Sequence, residues 1–341
     1  MKAVVVQSPG VVMVKEIPEP IMGEYDALCE VIVCGICSGT DRNVIHNHPY
    51  HNVHYPVILG HEGIGRVIAC GAKVKHFKVG DVVTRVVNRL PPDSGYELKW
   101  GAMAERALAV DWQAMKDDGY PESEWHKHTI HRVLPVGFDP IAATMFITWR
   151  ETYSYFHGMK PRTGDTVLII GTGANALSFT DHARNAGLSA IVIGSPKREQ
   201  IFKGAGAQVF IPHVATDYSA ALKGAGVNGV DIIIDTIGTS DSMNRVFPLL
   251  HMGGALGVYG LNGFDDYALS LTKGPARFRY YSGENSYDEG AAHDDVLRLV
   301  TEGKLDPWRY LSKDHIYLCE DINKALQASW NGDVMKSVII F

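Results

Sequence analysis

Between Lys2 and about Gly80, apolar positions come in short runs (KAVVVQ, GVVMVKEIPEP, ALCEVIVCGIC, GRVIACG and KVGDVVTRVV) punctuated by Gly, Pro and Asp. Runs of this length bounded by turn formers predict strands, and hence a β-rich first domain. From about Gly164 the rhythm changes: the apolar segments TVLIIG, AIVIGS, QVFIP, DIIIDTIG and GALGVYG are divided by helical stretches over 177–186 and 197–204. Strands apolar on both faces and separated by helices are what a parallel sheet covered on both sides requires, so this region predicts a doubly wound nucleotide-binding domain. From about Gly290 two amphipathic helices, HDDVLRLVTEG and CEDINKALQASWNG, precede the strand KSVIIF. That last strand is expected to return to the first domain. The predicted organisation is therefore α/β, with a β-rich domain of residues 1–148 and 286–341 and a nucleotide-binding domain of residues 149–285.

Composition narrows the function classes. The 341 residues carry 32 Lys+Arg against 38 Asp+Glu, a net charge of −6, with no long like-charge run. A nucleic-acid partner calls for a basic excess or stripe, so none is expected. No apolar stretch approaches the roughly 20 residues that span a bilayer, and the chain opens as a strand rather than a basic and apolar leader. No membrane partner and a cytoplasmic location are expected. Cysteines at 29, 34, 37, 70 and 319 are odd in number and scattered, which speaks against a disulfide framework and for a reducing compartment.

The strand TVLII runs into Gly171-Thr172-Gly173-Ala174-Asn175-Ala176, a G-x-G-x-x-A turn with a helix behind it. The first Gly permits the tight turn, the second lets the backbone approach a pyrophosphate, and the small Ala packs helix on strand, with phosphate at the helix N-terminus. A site for NAD(H) presents Asp or Glu to the ribose 2′-hydroxyl at the end of the next strand. Here that position reads Gly194-Ser195-Pro196-Lys197-Arg198. A small residue, a hydroxyl at Ser195 and two cations at Lys197 and Arg198 accept a 2′-phosphate that a carboxylate would repel, so NADP(H) is preferred over NAD(H). The plainer reading makes Lys197 and Arg198 a solvated helical turn, and Glu199 is a late rival for the ribose.

Cys37 closes the run CEVIVCGIC, and His61 with Glu62 lies in Leu59-Gly60-His61-Glu62-Gly63-Ile64-Gly65. Thiolate, imidazole and carboxylate are suitable Zn²⁺ ligands, although a lone buried Cys is more often a small apolar side chain. In wider context, Cys34-Gly-Ile-Cys-Ser-Gly-Thr-Asp41, the Gly-His-Glu-Gly-x-Gly run, Lys78-Val-Gly-Asp81 and the later glycine turn resemble the zinc-dependent medium-chain dehydrogenases/reductases over nearly the whole chain, most closely the polyol, sugar and glucose dehydrogenase branches. The resemblance implies a GroES-like catalytic domain joined to a Rossmann domain, and a homodimer or homotetramer. It also implies Cys37 and His61 as the first two ligands of one catalytic zinc, and Glu62 as a carboxylate that ligates directly or exchanges on and off the metal.

Three departures from the family pattern matter. Between Cys37 and Asp41 stand three residues instead of two, so the proton-relay hydroxyl is Thr40 or Ser38, with Thr40 favoured because it directly precedes Asp41. The third-ligand position falls at about Phe146 or Ile147, neither of which binds zinc; Glu151, a helical turn later, is the candidate substitute. Alternatives are that Glu151 is a surface helix residue, that Glu62 alone completes the set, or, less well placed, Asp139. Finally, no cysteine lies between Cys70 and Cys319, so the family's structural zinc is expected to be absent.

The stretch over 46–55 offers four His, two Asn and two Tyr, suited to a polyhydroxylated substrate or simply a solvated loop. Glu124 to His128 together with His131 reads as exposed loop. The expected activity is interconversion of a secondary alcohol, on a sugar or polyol, and its ketone with NADP(H). The alternatives are a zinc-free NADPH reductase of the same superfamily and a dinucleotide-binding redox sensor.

Overall fold

In the computed structural model, which describes residues 1–263, 267–282 and 288–341, the chain divides into two units. The first comprises Met1–Ile147, Glu289–His293 and Asp306–Phe341, the second Thr148–Asp288 and Asp294–Leu305.

The first unit opens with β1 (Lys2–Ser8) and β2 (Val11–Glu16), an antiparallel pair whose turn contains Gly10 at φ +80°. Next come β3 (Asp26–Gly35), the helix α1 (Thr40–Ile45), β4 (Val57–Ile58), β5 (Glu62–Cys70), β6 (Val82–Thr84), β7 (Glu97–Leu98) and β8 (Arg106–Val110). Strands β2-β1-β4-β7 form one sheet. In a second sheet β3 pairs antiparallel with both β5 and β8. Val31, Val67, Val83, Ala107 and Leu59 belong to one buried cluster of this unit. Full burial of each of the Val and Leu side chains is worth roughly 1.5–3 kcal/mol.

The segment over 124–131 is partly helical, and His131 is buried at 1 % exposure rather than lying in an exposed loop. The reason is long-range. The Thr84 amide donates to the Arg132 carbonyl at 3.0 Å and the Thr84 hydroxyl to Ile130 O at 3.0 Å, drawing this stretch onto β6.

After α2 (Met145–Gly158), the second unit alternates as its apolar runs require: β9 (Thr166–Ile170), α3 (Ala174–Asn185), β10 (Ser189–Gly194), α4 (Glu199–Ala205), β11 (Ala207–Pro212), α5 (Tyr218–Gly224), β12 (Val230–Asp235), α6 (Ser240–Val246), β13 (Leu250–Val258) and β14 (Arg279–Ser282). The sheet is parallel, in the order β11-β10-β9-β12-β13-β14. That is a doubly wound sheet whose order reverses between β9 and β12, where nucleotides bind at the carboxyl ends of the strands. Leu168, Ile170, Ile191, Ile193, Ile233 and Leu256 form its core, which explains why these strands read as unbroken apolar runs.

The C-terminal part does not fall to one unit. Helix α7 (His293–Thr301) runs into Asp294–Leu305 of the second unit, because the Arg184 guanidinium donates to Lys304 O at 2.6 Å and Asn185 Nδ2 to the same oxygen at 3.3 Å. The sequence-based division at 285/286 lies outside the described residues. Beyond it, β15 (Ile316–Leu318), α8 (Ile322–Asn331) and β16 (Val338–Ile340) complete the first unit, with β16 antiparallel to β3.

Candidate metal centre and dinucleotide pocket

The register of β3 against β5 assembles the first site. Gly35, the last residue of β3, pairs with Glu62, the first of β5, and on its other side with Val338 of β16. Cys37 therefore leaves β3 where His61 enters β5, although they are distant in sequence. Glycine is required at this crossing: a Cβ on Gly35 would lie 2.3 Å from Glu62 Oε2. Gly60, at φ +106°, turns the chain into His61, and a Cβ there would meet the Met103 amide nitrogen at 2.4 Å.

One ligand atom each of Cys37, His61 and Glu62 lies within 4.8 Å of the others. His61 and Glu62 are buried and Cys37 is half-buried. Asp41 orders the group from behind: its carboxylate accepts the Cys37 amide at 2.9 Å and lies 3.6 Å from His61 Nδ1. Burial pushes the His61 pKa down, but hydrogen bonding and charge from Asp41 and Cys37 outweigh it and raise it well above the ordinary value. A buried imidazole between anionic partners is a site that favours bound positive charge, which a divalent cation supplies by displacing a proton. The donor set of sulfur, nitrogen and oxygen fits Zn²⁺.

Around this group stand residues that local patterns did not single out. Lys336, buried just ahead of β16, donates to both Glu62 oxygens. Burial raises the Glu62 pKa, but Lys336, His61 and Arg85 together bring it below the usual carboxylate value. Arg85 and Trp100 both adopt left-handed backbone, at φ +59° and +63°, conformations that non-glycine residues hold only under constraint. The Trp100 ring packs against His61 at 4.9 Å between centroids, and the Arg85 guanidinium sits 5.9 Å from the Trp100 centroid while pairing with Glu289 at 3.3 Å.

The remaining candidates are placed as follows. Ser38 is half-buried, and Thr40 is the half-buried first residue of α1. The extra loop residue between them is Gly39, exposed, with nothing within 4 Å of an added Cβ. Phe146 is buried and stacks on His293 at 5.5 Å. Asp139 is exposed and caps the turn Pro140–Ala143 by accepting the Ile141 amide at 2.9 Å. Glu151 belongs to the second unit, where the Tyr259 hydroxyl donates to it at 3.5 Å. In the stretch over 46–55, Asn47 and Asn52 occupy left-handed turns at φ +56° and +40°, a backbone role that accounts for both. His54 is paired with Glu97 at 3.2 Å, and burial lowers the His51 pKa to about 4.

In the second unit β9 delivers Gly171 at φ +113°, where a Cβ would lie 2.3 Å from Thr236 Oγ1. Gly173 is the N-cap of α3, Ala174 and Asn175 form its first turn, and Ala176 is fully buried against the sheet. A cavity of about 410 Å³ opens at these strand ends, lined by Gly171, Thr172, Ser195, His213, Tyr218 and Arg245 among others. At the end of β10, a Cβ on Gly194 would lie 2.1 Å from the Thr172 methyl, and the Ser195 amide donates to Thr172 Oγ1 at 3.4 Å. Thr172 thus fills the space from which an acidic side chain at 194 would project. Lys197 is exposed and Arg198 half-buried, and neither lines the cavity. The cation that does is Arg245 on α6, packed 4.1 Å from the Tyr218 ring centroid and donating to Ala215 O at 2.6 Å. Asp241 of the same helix also lines it.

Known proteins resemble the chain across both units. Residues 23–116 match the family described as Alcohol dehydrogenase GroES-like domain. L-galactonate-5-dehydrogenase of Escherichia coli (strain K12) is 27 % identical, covering 100 % of this chain and 99 % of that protein. Among solved structures, an alcohol dehydrogenase from Thermus sp. ATN1 aligns with a TM-score of 0.81 at 22 % identity over 100 % of this chain and 99 % of that one. Galactitol-1-phosphate dehydrogenase from Escherichia coli aligns at 0.79 and 21 % over 100 % of both chains. With a GroES-like domain preceding a doubly wound sheet, and with alcohol and polyol dehydrogenases among the proteins it is similar to, the chain has the two-domain fold of the medium-chain dehydrogenases/reductases and resembles that family of oxidoreductases.

Proposed function

We propose that the protein interconverts a secondary alcohol, on a sugar or polyol, and its ketone by hydride transfer with NADP(H), using one catalytic Zn²⁺ and no structural zinc. The observation that carries this reading is the convergence of Cys37, His61 and Glu62 within 4.8 Å, backed by Asp41 and Lys336. Zinc bound there supplies Lewis acidity, lowering the pKa of a substrate hydroxyl toward neutrality and stabilising carbonyl oxygen charge in the reverse direction.

The chain's own residues do the rest. Cys37 and His61 hold the metal. Glu62, kept ionised by Lys336, is the carboxylate within reach, and Glu151 is proposed as the further donor against Glu62 alone. The Thr40 hydroxyl, or that of Ser38, carries the substrate proton outward. Gly171, Gly173, Ala174, Asn175 and Ala176 cradle the dinucleotide. The preference for NADP(H) is supported by the Thr172 methyl, which leaves no room for a carboxylate at 194, by the Ser195 hydroxyl, and by Arg245 on the same cavity, with Lys197 and Arg198 flanking it. We further place the enzyme in the cytoplasm as a homodimer or homotetramer.

The deciding experiment is a panel of sugars, polyols and simple secondary alcohols assayed with NADP⁺ and NAD⁺ side by side, combined with metal analysis of the purified protein. Turnover of a polyol with NADP⁺ and about one zinc per chain is the expected result. A second reading, the zinc-free reductase, is favoured by the buried Phe146 where the family carries a ligand. Activity with less than about a tenth of an equivalent of zinc would establish it.

A further inference from the structure

The parallel sheet of the second unit has a second concavity, of about 450 Å³, at the strand ends opposite Gly171. Its lining residues sit where strands begin: Asp165 just ahead of β9, Asp231 as the second residue of β12, Gly253 in the first half of β13, Arg277 two residues ahead of β14 and Arg279 as its first residue. Arg162 and His251 complete the polar wall. Dinucleotides occupy the other end of such sheets, so this place is distinct from the Gly171 pocket.

Its charges do not balance within the protein. The carboxylates are already engaged: Asp165 accepts the Arg162 amide at 2.8 Å, and Asp231 accepts the Thr166 amide at 2.9 Å and pairs with His251 Nδ1 at 2.9 Å. Arg279 is anchored by a carbonyl at the end of α2, donating to Met159 O at 3.1 Å. Among the described residues, the guanidinium groups of Arg162 and Arg277 have neither an ion-pair nor a hydrogen-bond partner. The backbone nevertheless holds Arg277 in place, because the amide of Gly253, at φ +79°, donates to its carbonyl at 2.7 Å. Phe278, between Arg277 and Arg279, packs on Phe247 at 5.0 Å between ring centroids and stiffens the segment. Against the two carboxylates of Asp165 and Asp231, the three guanidinium groups leave the concavity with an excess of positive charge that an anion would balance, in a chain whose net charge is −6. The planar guanidinium fork matches phosphate oxygens in pairs, and the concavity is large enough for a mononucleotide-sized molecule.

We propose that this concavity binds a small phosphate-bearing anion, clamped by Arg162 and Arg277 with Arg279 as third donor, independently of the dinucleotide. The test titrates inorganic pyrophosphate into the full chain by calorimetry, with NADP⁺ at saturation to occupy the Gly171 pocket. The proposal expects one binding event that persists under NADP⁺, weakens with added salt, and loses about tenfold in affinity for each of Arg162→Ala and Arg277→Ala. The charge reversal Arg277→Glu should abolish it, while Arg245→Ala in the other pocket leaves it unchanged. The thermal midpoint of each variant reports that the fold is intact. Absence of binding up to millimolar pyrophosphate, loss of binding once NADP⁺ is present, or full affinity in the Arg162 and Arg277 variants would each overturn it.

Discussion

Lys336, in the last segment of the chain, donates to both carboxylate oxygens of Glu62, the first residue of β5. Gly35 makes the meeting possible, because β16 and β5 flank it on either side and the register sets Val338 and Glu62 against the same residue. Both charged groups are buried, at 3 % and 2 % exposure, so neither can be left alone at low cost.

Lys336→Met is therefore expected to lower stability by about 3–5 kcal/mol, since it strands a buried carboxylate. The double variant Lys336→Met with Glu62→Gln should recover much of that loss, because the unpaired charge is gone. Urea unfolding of the two variants checks the coupling; equal stabilities would mean that the pair is not energetically linked.

Cys37→Ala and His61→Ala each remove a proposed donor and should reduce bound zinc below about a tenth of an equivalent. Turnover is expected to fall by at least about a thousandfold. Glu151→Gln separates the two proposals for the carboxylate donor: retained zinc assigns the role to Glu62 alone, and lost zinc with an unchanged thermal midpoint assigns it to Glu151.

The sheet of the second unit was legible in the sequence because strands buried on both faces leave unbroken apolar runs, as Ile232, Ile233 and Ile234 do in β12. The glycine turn was legible because backbone sterics at Gly171 leave no choice of residue. Cys37, His61 and Glu62 were readable only as a spaced pattern, since their convergence depends on strand register. Lys336 and Arg245 carried no local signal at all: each reaches its partners through tertiary packing from a remote segment. His131 was misread for a related reason. A polar neighbourhood in sequence suggests a loop, yet hydrogen bonds from Thr84 bury it.

Asp111 offers a pH test away from both sites. Burial raises its pKa, but the amides of His76, Ala114 and Lys75 and the His76 ring donate to it and hold it below the ordinary value of 3.8. A carboxylate depressed in the folded state contributes stability above its unfolded pKa and loses it as pH falls through the folded value. The wild type should thus lose stability on going from about pH 5 to below pH 3.8. Asp111→Asn should be less stable at pH 7 by about 3 kcal/mol and flatter across that window. Denaturant midpoints at pH 7, 5 and 3.5 measure both effects.

Cofactor choice can be argued from Thr172 and Gly194. With the Thr172 methyl 2.1 Å from where a Cβ on Gly194 would stand, Gly194→Asp alone forces a clash and should impair both dinucleotides. Removing the obstacle with Thr172→Gly in the same chain frees the space, so the double variant should bind NAD⁺ better than the single one does and reject NADP⁺ through charge repulsion. Arg245→Ala should raise KM for NADP⁺ about tenfold, the value of one charge-assisted contact to phosphate, and leave KM for NAD⁺ nearly unchanged. Steady-state kinetics with both cofactors distinguish these outcomes, and an Arg245→Ala variant that weakens NAD⁺ as much as NADP⁺ would reduce Arg245 to a support for Tyr218, 4.1 Å beneath its guanidinium.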